Sequence, residues 1–222
     1  MRKFLISLVL LVIVLVIIDR AAVLLASREL GTKIQNAYSL PVRPGVDIHG
    51  FPFLTQVASG NYQEVDVTIS TATADGVQLH DVRAKFTGVH APLALLFGQN
   101  SRGVTADHAT GTALIPFSQV ELKLPKGIRL SADGGDTLRV SGAITLGAIT
   151  GTARLGVTRS GSISVTPVRL SVAGISSGSL IPRFTFVIPV VLPLHLAVSG
   201  VHVSSAGLVV SATGSDVQFA GS

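Results

Sequence analysis

VDIHGFPFLTQVASGNYQEVDV (Val46–Val67) is the stretch on which the reading of this chain turns. Gly50 permits a tight bend, and Pro52 holds Phe51 extended while denying an amide to any ladder. Phe51, Phe53 and Leu54 then make a compact apolar cluster at a corner. Beyond Gly60 the pattern acquires a period of two. Val65, Val67 and Ile69 alternate with Glu64, Asp66 and Thr68, as in a half-buried strand. The stretch therefore marks a corner at which helix gives way to sheet.

Upstream, AAVLLASRELGTKIQNAY (Ala21–Tyr38) keeps a helical pattern, with Leu30, Ile34 and Tyr38 four apart and Val23 seven before Leu30. Gly31 weakens this helix, and Pro41 and Pro44 stop it. Its apolar stripe either continues a membrane helix or covers a sheet. Before it, Met1-Arg2-Lys3 leads into FLISLVLLVIVLVII (Phe4–Ile18), fifteen uncharged residues that are all apolar except Ser7. A spanning helix needs about twenty residues. Arg20 can snorkel and Ala21–Ala26 can extend the apolar run. Residues 1–20 read as an uncleaved signal anchor or a cleaved signal peptide, with no convincing A-x-A site behind them. Either reading places residues 21–222, taken as a single domain, outside the cytoplasm, with Arg2 and Lys3 left inside. An anchor makes a single-pass membrane protein; cleavage makes a secreted one.

Downstream, the chain reads as strands and turns. Asp75-Gly76 leads to VQLHDVRAKF, whose apolar side switches around His80-Asp81, a place for a bulge. Ala91–Phe97 (APLALLF) reads as a short helix or a membrane-facing turn. Further strands are expected over Val104–Ile115, Thr137–Ala143, Thr145–Val157, Ser162–Val172, Phe184–Pro189, Leu196–Val203 and Gly207–Ala212. The class is α+β: an antiparallel meander, half-buried, with one face wanting a partner.

Composition narrows the chemistry. The chain of 222 residues is 47% hydrophobic, 13% charged and 5% aromatic, so strand-forming residues dominate over chemistry-bearing ones. It has no cysteine, which excludes disulfides, thiolate metal sites and an acylated cysteine. Setting Arg2, Lys3, Arg20 and Asp19 aside leaves 14 basic against 11 acidic residues, without a Lys/Arg cluster. Nucleic acid is therefore not an expected partner. His49, His80, His90, His108, His195 and His202 never take the H-x-x-x-H or H-E-x-x-H spacing, so no metal site is expected. Gly174-Ile175-Ser176-Ser177-Gly178 matches G-x-S-x-G, but SLIPRFTF, with Pro182 and then another strand-like segment, follows in place of the helix that a nucleophile elbow requires. A flexible turn is the better reading of Ser176. No nucleotide-binding glycine motif is present, and neither catalytic residues nor a cofactor are expected.

For the cluster of Phe51, Phe53 and Leu54, two uses stay open: a core plug joining helix to sheet, or part of a lipid-binding or membrane-facing surface. Here a resemblance enters. Val46–Val67, with Gly50-Phe51-Pro52-Phe53-Leu54 and then Gly60-x-Tyr62-x-x-Val65, is joined in order by TALIPFSQVEL (Thr112–Leu122) and IPVVLPLHLAVSGVHVSSAGLVVSATG (Ile188–Gly214). Together with the membrane-proximal helix, these resemble the LmeA-like phospholipid-binding family of actinobacterial cell-envelope proteins, over roughly residues 20–214.

The resemblance implies a non-enzymatic protein whose partners are phospholipid and the membrane, possessing a long, strongly curved antiparallel sheet that wraps an N-terminal helix, as in elongated, BPI-like lipid-binding folds. It makes Phe51, Phe53, Leu54 and Tyr62 candidates for lipid contact or for structural support. An apolar groove would take the acyl chains. Arg83, Lys85, Arg102 and Arg183 are the weaker candidates to meet a phosphate at its mouth. The alternatives are a scaffolding envelope domain without a lipid cavity, and a lipid or glycan hydrolase.

Overall fold

The computed structural model describes residues 2–74, 76–91, 103–122, 124, 126–144, 147–159, 161–172, 175–176, 186–188, 192, 194 and 196–219. The apolar run and the amphipathic segment behind it form one helix, α1 (Arg2–Ala37). It closes with Tyr38 N–H donating to Ile34 O and Leu40 N–H to Gln35 O, ahead of the two prolines. Strand β1 (Gly45–His49) then leads through Gly50 into α2 (Phe53–Ser59), a short helix that the sequence reading did not anticipate. The remaining elements are β2 (Asn61–Ala74), β3 (Val77–His90), β4 (Val104–Pro116), α3 (Phe117–Glu121), β5 (Ile128–Ala132), β6 (Thr137–Ile144), β7 (Gly147–Val157), β8 (Ile163–Val172), β9 (Ile175–Ser176), β10 (Phe186–Ile188), β11 (Ala197–Val203) and β12 (Gly207–Phe219).

The strands fall into two antiparallel sheets. One runs β1-β2-β3-β4-β12-β11; the other runs β10-β8-β7-β6-β5, with β9 added to β8. Pairing of β1 with β2 sets Val46 opposite Val67 and Ile48 opposite Val65, so the alternation read from the sequence lands on one buried face. The expected switch in β3 is present. Val77 and Leu79 point inward, then Val82, Ala84 and Phe86 do, and between them Asp81 takes a positive φ of 48°. That is the backbone conformation by which an extra residue in a strand inverts its faces.

The chain divides into two compact units: Met1–Ile69, Ala84–Ala109 and Ser215–Ser222 make the first, and Ser70–Arg83 and Thr110–Gly214 the second. In the first unit, α1 packs on β1 and α2, and buried Phe53, Tyr62, Val65, Val67, Phe86 and Val217 form the interior. Phe86 meets Phe219 edge to face at 5.1 Å. In the second unit, Leu130, Leu138, Leu155 and Ile163 of one sheet pack on Val198, Val201, Leu208 and Val210 of the other. Each such side chain contributes about 1.5–3 kcal/mol when fully buried. This face-to-face packing is what the half-polar, half-apolar strands require.

One expectation is overturned. Among the described residues there is no strongly curved sheet wrapping the N-terminal helix; the strands are shared between two sheets, and neither is strongly curled or barrel-like. Only Asp19 and Gly31 of α1 are buried, while Phe4–Ile18 are exposed all round. A helix that is apolar on every side has no stripe to offer a sheet and belongs in a membrane. Beyond that run Val23, Leu30 and Ile34 are half-buried and Tyr38 is exposed, and the helix packs on β1 and α2. Of APLALLF, all but Ala91 lies outside the described residues.

Candidate functional site

The corner at Gly50 is built from both sides. Gly50 has φ +106°, and a Cβ there would meet Gln56 Nε2 at 2.6 Å and Oε1 at 2.9 Å, so glycine is required twice over. The Phe51-Pro52 peptide is cis. Pro52 stands at the N-cap of α2 without a side-chain cap, and Gly60 ends the helix in the left-handed conformation, its N–H turned back to Gln56 O and Val57 O. Inside, Phe53 and Tyr62 are 4% and 5% exposed and meet at 6.2 Å between ring centroids. Burial raises the Tyr62 phenol above its ordinary pKa, and its hydroxyl finds no partner among the described residues. Gln56 is buried as well; its Oε1 accepts from Gln63 N–H at 2.9 Å, tying α2 to the start of β2.

The acceptor missing at the N-terminus of α2 comes from a residue thirty-five positions away. Asp19 Oδ1 accepts the Leu54 N–H at 2.9 Å. Its Oδ2 accepts from Arg20 Nη2 at 2.6 Å and Nε at 3.2 Å, so both oxygens of this 3% exposed residue are satisfied. Arg20 also lies over the Phe51 ring, 5.2 Å from its centroid, and directs Nη2 at Gly50 O at 3.4 Å. Asp19 and Arg20 were read from the sequence only as residues flanking the apolar run. The signal that could have found them is that a carboxylate within an apolar stretch demands a partner.

The four apolar candidates thus separate into two pairs. Phe53 and Tyr62 are interior, while Phe51 and Leu54 point outward at 59% and 41% exposure.

A second cluster lies on β1, β2 and β3. His49 Nε2 is 3.1 Å from Asp66 Oδ2 and 3.9 Å from Glu64 Oε1, and Lys85 Nζ donates to Glu64 Oε1 at 2.9 Å. One potential ligand atom each from His49, Glu64 and Asp66 lies within 4.8 Å of the others, a grouping that spacing along the chain did not reveal. Lys85 already holds Glu64. That hydrogen bond keeps the Glu64 carboxyl below and the Lys85 ammonium above their ordinary pKa values. The cluster is a hydrogen-bonded network on a partly exposed strand face, in which Asp66 Oδ1 is buried without a partner among the described residues.

Of the phosphate candidates, Lys85 is thus engaged, and Arg83 is exposed on β3 without an ion-pair partner among the described residues. Arg102 and Arg183 lie outside the described residues. Ser176 is placed in the two-residue strand β9, opposite Ser171 of β8; the residues on both sides of its G-x-S-x-G frame lie outside the described residues.

The sequence model of the LmeA-like phospholipid-binding family matches residues 17–213, from just before Asp19 to within β12. The chain belongs to that family. No curated protein and no solved structure matches it. As a member of the LmeA-like family it is a phospholipid-binding protein of the cell envelope, exported and associated with the membrane. The match leaves out most of the run from Phe4 to Ile18, whose length and apolarity suit a single membrane span. That helix is consistent with a single-pass membrane or signal anchor, with the rest of the chain extracytoplasmic.

Proposed function

We propose that this LmeA-like protein takes up single phospholipid molecules at the outer face of the membrane that anchors it, in support of envelope lipid or lipoglycan assembly. The family match carries the reading. In the site, Phe51 and Leu54 offer the acyl chains an exposed apolar surface, and Phe53 and Tyr62 hold that surface rigid from beneath. Burying one CH₂ contributes about 0.8 kcal/mol, so an acyl chain of about sixteen carbons gains on the order of 10 kcal/mol before ordering costs.

Uptake of a fluorescent phospholipid from donor vesicles tests the reading. Leu54→Ser and Phe51→Ser should each weaken uptake through the apolar contact. Undiminished uptake by both variants would remove these residues from the site.

A further inference from the structure

The anchor helix and the Gly50 corner stand in a relation that depth makes specific. Fifteen residues at 1.5 Å each span about 22 Å, whereas the hydrocarbon layer is about 30 Å thick. Arg2 and Lys3 hold the beginning of the run at the inner interface, so the shortfall must be met at the other end. The next residues are Asp19, Arg20, Ala21, Ala22 and Val23, followed by exposed Leu24 and Leu25. The charged pair therefore falls within the outer part of the hydrocarbon layer, where an unpaired aspartate is strongly disfavoured.

Asp19 is shielded there by the corner itself. Leu54 N–H and the Arg20 guanidinium satisfy its two oxygens, and the backbone of Gly50 and the ring of Phe51 receive Arg20 in turn. A segment hydrogen-bonded to Asp19 sits at the depth of Asp19. Its outward side chains, Phe51 and Leu54, then face lipid rather than water, as the exposed apolar residues of α1 do.

We infer that residues 50–54 form a collar seated in the outer leaflet, bound to the anchor helix through Asp19 and covered by the bilayer. The inference rests on the reading of α1 as a membrane anchor and deepens the proposed function, because it places the mouth of the lipid site within the leaflet that supplies the lipid. It also requires the helix to be retained: cleavage anywhere between Arg20 and Ala26 would take Asp19 away from α2.

The chain contains no tryptophan, so a single Phe51→Trp substitution reports on this place alone. The full chain is reconstituted in phosphatidylethanolamine–phosphatidylglycerol vesicles carrying acyl chains brominated at shallow or deep positions. Leu11→Trp marks the bilayer interior. Tyr38→Trp, which lies about 27 Å further along the axis of α1 than Arg20, marks the aqueous side. Phe51→Trp should emit at blue-shifted wavelength and lose most of its intensity to the shallow quencher, with Tyr38→Trp unaffected. Leu54→Trp should behave likewise and covers the case in which Phe51→Trp does not fold. Hydrated, unquenched emission from both corner variants, beside a quenched Leu11→Trp, would overturn the collar. Phospholipid still recovered with such a protein would leave the binding function standing, so the two failures are separable.

Discussion

Asp19 is a carboxylate in an apolar neighbourhood, and its two oxygens are both occupied. Replacing it by alanine removes the cap of α2 and strands Arg20. Asp19→Ala should cost about 1–2 kcal/mol, read as a shifted urea midpoint of the full chain in detergent. Gly50→Ala combines a forbidden φ with a clash against Gln56 and should cost about 1–3 kcal/mol by the same measurement. Tyr62 makes a sharper case. Its ring is core, but its hydroxyl is buried without a partner among the described residues. Tyr62→Phe should therefore be neutral or stabilising by about 1 kcal/mol, whereas Tyr62→Ala should cost about 3–5 kcal/mol. A destabilised Tyr62→Phe would mean that the hydroxyl has a partner after all.

At the scale of elements, the pairing of β2 with β3 brings a titratable contact. Glu64 has its folded pKa lowered by the hydrogen bond from Lys85, so its contribution is present above the ordinary glutamate pKa and is lost as pH falls through the lowered one. Lys85 has its pKa raised, chiefly by the same hydrogen bond; its contribution is present below the ordinary lysine pKa and is lost as pH rises through the raised one. Lys85→Met should remove the acid-side loss attributable to Glu64, which a series of urea midpoints against pH would show. Both groups are partly exposed, and the effect should also fade with salt.

The strands themselves were largely legible, since a period of two in Val65, Val67 and Ile69 marks a buried face whatever the tertiary context. The switch at Asp81 was equally plain. α2 escaped notice because seven residues give too short a window for helical periodicity, although Pro52 before it and Gly60 after it are the ordinary punctuation of a helix. β5, at five residues, is equally short and falls between two of the expected strands. The Asp19–Leu54 bond was beyond reach, because no local pattern relates residues that far apart.

At the scale of the whole molecule, alternation tells which residues share a face but not how strands are shared among sheets. The pairing of β4 with β12 joins segments about a hundred residues apart, and the division into two sheets rests on such pairings. That is why the family resemblance supplied a curved, helix-wrapping sheet where two sheets stand. The interior of the second unit depends on both of them. Leu155→Ala, which opens a cavity between them, should cost about 2–5 kcal/mol in thermal or urea unfolding. The central claim, that this LmeA-like protein holds phospholipid, is tested most directly by native mass spectrometry of the full chain released from detergent, coupled to lipid extraction. A population carrying the added mass of a phospholipid is expected, identified in the extract and diminished by Leu54→Ser. Protein that carries no lipid, and acquires none from phospholipid vesicles, would contradict it.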